Sequence, residues 1–181
     1  MQERTNSSGG VGKDLRRASA PKQGPLAPNV FEKALAVGVL ALLAALLIAL
    51  IRGRAEWGHL SLSIWLHLVT IAAALILTSI LMLRRRGDRA HRLLGRAWAA
   101  FMFATALVSF NIRLNTPGQL SWIHLLSLLT MLLVPTIVFS ARRHKVKTHR
   151  NFVRGTVVGA LLLAGFFTFP FGRLLGRWLF G

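Results

Sequence analysis

The chain contains no cysteine, and only five of its 181 residues are acidic: Glu3, Asp14, Glu32, Glu56 and Asp88. Without cysteine there is no disulfide, zinc–thiolate site, iron–sulfur cluster or thiol nucleophile. None of the five carboxylates falls in the middle of an apolar run. Carboxylate pairs for acid–base chemistry and oxygen cages for calcium are therefore out of reach. A Met-rich copper pattern is also missing, and Met82, Met102 and Met131 read as core or lipid-facing residues.

What the chain has in quantity is apolar surface and positive charge. Apolar residues make up 54%, mean hydropathy is +0.54, and 23 Lys and Arg give a formal net charge of +18. The length suits one domain. The apolar residues fall in long runs, and a spanning helix needs about 20 of them. A nucleic-acid binder can carry such a charge, but here the bases cluster at the ends of the apolar runs, where they set orientation and meet anionic lipid. The expected partner is the lipid bilayer, with no nucleic acid.

The sequence predicts an all-α integral membrane protein with five transmembrane helices. Residues 1–30 read as a disordered basic tail. Residues 31–52 hold the first membrane-anchor helix, centred on the uncharged run from Ala34 to Ile51, with Trp57 and Trp65 suited to an interfacial belt. Residues 58–181 form the core. Its helices are expected at about 60–83, 90–112, 120–141 and 149–169, with Asp88 as a helix cap, a turn from Asn111 to Gln119, and Pro135 inside the fourth helix. The tail from Phe171 to Gly181 is expected at the interface. Lys and Arg number five in 84–92 and five in 142–150 but one in 111–119, and residues 1–33 carry six. That asymmetry predicts a cytoplasmic N-terminus and an outside C-terminus, in a bacterial inner membrane.

The core is built on a repeat. Each copy opens with His-Leu (His67-Leu68, His124-Leu125), runs apolar to an arginine cluster, and then gives His-Arg-x-x-x-Arg, as His91 to Arg96 and as His149 to Arg154. A second apolar run ends at Arg113 or Arg173. Helices two to five should therefore form an antiparallel four-helix bundle from a duplicated helix pair. A pseudo-two-fold axis along the membrane normal would pair His67 with His124, roughly 25 Å from the cytoplasmic edge, and His91 with His149 at that edge.

Paired histidines at two depths, with no thiolate or carboxylate nearby, are a ligand set for two b-type haems. His67, His91, His124 and His149 are the candidate ligands, and the outer pair, lying within spans, is the stronger expectation. Arg96, Arg113, Arg154 and Arg173 are the candidates for haem propionates or another anion; Arg96 and Arg154 sit over a turn inside their helices with no acidic residue near in sequence. His59 and His144 fall outside the repeat and read as solvated or interfacial. Two alternatives stay open. The histidines could bind a transition metal or relay protons in a transporter, or merely satisfy helix contacts in a non-catalytic accessory subunit. No catalytic residue is expected, and the oligomeric state is not specified.

The segment WLHLVTIAAALILTSILMLRRRGDRAHRLLGRAW, followed by SFNIR, SWIHLLSLLT, THRNFV and FPFGRLLG, resembles a bacterial family of multi-pass membrane proteins known only as a domain without assigned function. The resemblance covers about residues 60–181 and implies a membrane protein. In layout the chain also resembles the ascorbate-linked di-haem transmembrane cytochromes b, which place single histidines on four consecutive helices and pair the first with the third and the second with the fourth. That resemblance implies a transmembrane oxidoreductase, with ascorbate, a quinone or another redox partner exchanging electrons with the haems.

Overall fold

The structure, a computed structural model, describes residues 27–110, 112, 122–170 and 172–181. Every regular element among them is helical. Helix α1 spans Val30–Arg52 and leads through a 3₁₀ segment, Gly53–His59, into α2, Leu62–Leu83. Helix α3 is Arg89–Ser109 and α4 is Trp122–Arg142. Helix α5 (146–166) begins as an α-helix over Val146–Thr156, widens to a π-helix over Val157–Leu163 and closes with Ala164–Phe166. A short α6, Leu174–Phe180, ends the chain.

The helix starts follow local chemistry. Asn29 and Glu32 form a capping box at α1, each side chain accepting the other's backbone N–H at 3.0 Å. Ser61 caps α2. Asp88 caps α3 as expected, accepting the His91 N–H at 2.6 Å. Pro135 lies inside α4. The expected turn at 111–119 and all but the last residues of the N-terminal tail fall outside the described residues, Ile112 excepted.

Three segments, Val30–His59, Leu62–Leu83 and His124–Arg142, are long and apolar enough to cross a membrane. Their faces explain why. Helix α1 buries Leu35, Val39 and Leu46 while exposing Val37, Leu40, Leu47 and Ile48; α2 buries Leu68, Leu75 and Met82 while exposing Val69, Ile76 and Ile80. A helix that is apolar on both its packed and its open face belongs in hydrocarbon rather than water. Helices α3 and α5 spend their first turns on arginine and histidine, which lowers their hydropathy.

Each of α1 to α4 packs on the helix that follows it, and the π segment of α5 packs back on α1. A single apolar cluster threads all five, drawing on Leu35 and Val39, Leu75 and Met82, Trp98 and Met102, Val134 and Ile137, and Val157 and Leu161. Polar ties cross it as well: the Trp98 Nε1–H donates to Thr78 Oγ1 at 2.8 Å, both residues buried. Helix α6 folds onto the C-terminal end of α1, where a Cβ on Gly53 would overlap the Trp178 ring. Only glycine permits that approach.

Candidate functional site

Glu32 is the point at which three separated parts of the chain meet. Its carboxylate is 1% exposed. Arg150 grips it bidentately, Nε to Oε1 at 2.7 Å and Nη2 to Oε2 at 3.0 Å. Arg154 donates twice to Oε1, at 3.0 and 3.2 Å, and Arg86 pairs with Oε2. With the Asn29 N–H also on Oε2, the acceptor sites of this carboxylate are filled. The cluster joins the start of α1, the α2–α3 loop and the start of α5, and so gathers the basic ends of the helices on one side.

Beside the cluster lies a cavity of about 340 Å³, within the roughly 300–1,000 Å³ range of small-molecule sites. Its wall includes apolar side chains such as Met82, Trp98, Ile137, Val153 and Val157. Six arginines also line it: Arg86, Arg92, Arg96, Arg142, Arg150 and Arg154. Both His-Arg-x-x-x-Arg motifs thus converge here, contributing His91, Arg92 and Arg96 from one copy and His149, Arg150 and Arg154 from the other. His144 lines the cavity too, from the α4–α5 turn, where it adopts a left-handed backbone with φ 54°.

The two histidines of the motifs differ in their ring contacts. His149 Nδ1 lies 3.1 Å from the Ile137 carbonyl oxygen. A carbonyl can only accept, so Nδ1 carries the proton and Nε2 of the neutral ring keeps its lone pair. His91 has a buried Nδ1 with no hydrogen-bond partner among the described residues. Such an orphaned polar atom calls for a ligand or another group to satisfy it.

The other two histidines lie at the far end of α3. Ser109 Oγ gives its one proton to the Thr105 carbonyl at 2.8 Å and stands 3.1 Å from His67 Nδ1. The contact ties the His67 ring on α2 to the end of α3. The His124 ring lies 5.8 Å from that of Phe110, the next residue after Ser109. Four histidines on four helices accordingly occupy two levels, His91 and His149 at the basic end and His67 and His124 at the other.

The arginines divide differently from the sequence expectation. Arg154, read as lacking an acidic neighbour, has one in Glu32, 122 residues away. Arg96 lines the cavity and is exposed, with no ion pair among the described residues. Arg173 is exposed at the start of α6, away from the cavity, and Arg113 lies outside the described residues. Sequence reasoning gave Glu32 no role beyond the count of acids. The signal that could have found it is the Asn-x-x-Glu box ahead of an apolar run, which fixes a carboxylate at the basic end.

Outside the cavity, Asp88 accepts the His91 N–H and then the Arg84 guanidinium at 3.0 Å, and these hold its carboxyl below the usual aspartate range. No protein-family model, curated protein or solved structure matches the chain.

Proposed function

We propose that this chain is a membrane-embedded haem protein that passes electrons between the two faces of a bacterial inner membrane. In this reading helices α1 to α5 are five spans, the N-terminus is cytoplasmic, and the basic end with its cavity faces the cytoplasm. The observation that carries the reading is the cavity itself: His91 and His149, from two different helices, line it together, one with a free Nε2 and one with an orphaned Nδ1.

The donor set fits a porphyrin better than a bare ion. Among the described residues no three His, Asp or Glu side chains come together as a metal site, whereas a porphyrin iron would ask the protein for only two ligands, which His91 and His149 would supply. Haem bound there supplies one-electron chemistry between ferric and ferrous iron. The protein's part is to hold the two imidazoles, to fix the His149 tautomer through the Ile137 carbonyl, and to surround the site with apolar side chains that exclude water. His67 and His124 would hold a second haem by the same chemistry at the far end. A small reductant such as ascorbate or a quinol on one face would give one electron at a time, and an oxidant such as a quinone would receive it on the other.

The test is a reduced-minus-oxidised spectrum of membranes holding the full chain, expressed with haem supplied. A Soret shift and a sharp α band are expected. His91→Ala or His149→Ala should each remove the inner-site signal, while His67→Ala should leave it. A featureless spectrum from well-folded protein would sink the reading.

A further inference from the structure

The two His-Arg-x-x-x-Arg motifs line one cavity but do not have the same partners. In the second copy, Arg150 and Arg154 clamp the Glu32 carboxylate through four hydrogen bonds. In the first copy, Arg92 donates to the Gly87 carbonyl at 2.7 Å, and neither Arg92 nor Arg96 meets a carboxylate among the described residues. Arg142, on the same cavity, has no ion pair there either. Six arginines thus face the cavity against one carboxylate, and that carboxylate has no acceptor capacity left for the other three. Charge of one sign beside an apolar cavity at a membrane edge is stabilised by an anion.

We propose that Arg92 and Arg96, helped by Arg142, bind a carboxylate of the cavity's ligand, in the way that Arg150 and Arg154 bind Glu32. The ligand class is an acid on a broad apolar body, with the apolar part against Leu81, Val138 and Val153 and the acid toward the arginines. The assignment rests on the haem reading, in which the acids are the propionates. It also separates the cavity arginines into a structural set, Arg86, Arg150 and Arg154, and a ligand-binding set, Arg92, Arg96 and Arg142.

Haem with its two acids esterified keeps the iron and the apolar body but loses the negative charge. Full-length protein purified in detergent without haem is titrated with haemin and with haemin dimethyl ester, and the Soret band is read. The wild type should prefer haemin by about tenfold or more, the scale of a charge-assisted contact. The R92Q/R96Q double variant should lose that preference while binding the ester as the wild type does, the ester serving as the check on folding and on the histidines. The assignment is overturned if the double variant keeps its preference, if the variant's ester binding falls as far as its haemin binding, or if the wild type binds both equally. Equal binding would leave the haem reading standing, whereas no Soret shift with either porphyrin removes both.

Discussion

Glu32 and Arg150 are 118 residues apart and meet in a two-pronged ion pair, Nε to Oε1 at 2.7 Å and Nη2 to Oε2 at 3.0 Å. The pair, extended by Arg86 and Arg154, ties the first helix to the last long one at the basic end. Because the carboxylate is buried and the three arginines retain between 13% and 24% exposure, the charge balance rests on one side chain.

Replacing Glu32 by Gln keeps an acceptor and the shape but leaves three guanidiniums unbalanced. Removing one partner of a buried pair costs roughly 3–5 kcal/mol, and the partial exposure of the arginines puts this case near the lower end. The measurement is thermal unfolding in detergent. A Glu32→Gln/Arg154→Gln double variant should recover part of the loss, and purely additive effects would show that the two do not interact.

Thr78 accepts the buried Trp98 N–H and so ties α2 to α3 inside the core. Thr78→Val preserves shape while leaving the buried Trp98 N–H without its 2.8 Å acceptor. A destabilisation of about 1–3 kcal/mol is expected, with altered tryptophan fluorescence in the folded protein. Unchanged unfolding and emission would mean that the indole finds another acceptor.

Asp88 gives the protein an acid-sensitive helix start. Its folded-state pKa is depressed, first by the His91 N–H and then by Arg84, so its contribution is fully present above the unfolded aspartate value of about 3.9 and is lost as pH falls through the lower folded value. Asp88→Asn keeps a capping oxygen but no titrating charge. Unfolding followed from neutral to acidic pH should show the variant less stable at neutral pH and the gap closing in acid; a gap independent of pH would contradict the linkage.

Much of the helical layout was readable from the sequence because its causes are local. The apolar runs ending in arginine clusters gave α2 and α4, and Asp88 one residue before Arg89 marked the start of α3. The two histidine levels came from combining the helix rise with the order of the arginine clusters along the chain. What stayed hidden depends on contacts between distant segments. Nothing beside Arg154 in sequence hints at Glu32, and nothing beside His67 hints at its contact with Ser109. The first helix read as an anchor, yet Leu35, Val39 and Leu46 belong to the same apolar cluster as the core helices. The π-helix is equally silent, since Val157–Leu163 reads as any apolar run, and its wide turns arise where α5 shifts its packing from α4 to α1.

The position of Glu32 has a stereochemical consequence. Two equivalent arginine pairs facing each other across a cavity would accept an acid-bearing ligand in either of two orientations, related by a half-turn. Glu32 comes from α1, outside the duplicated motif, and fills the arginine pair of one copy alone. The cavity therefore has a polarity that the motifs by themselves lack, and under the proposed ligand assignment that polarity would leave a molecule with its acids along one edge a single orientation.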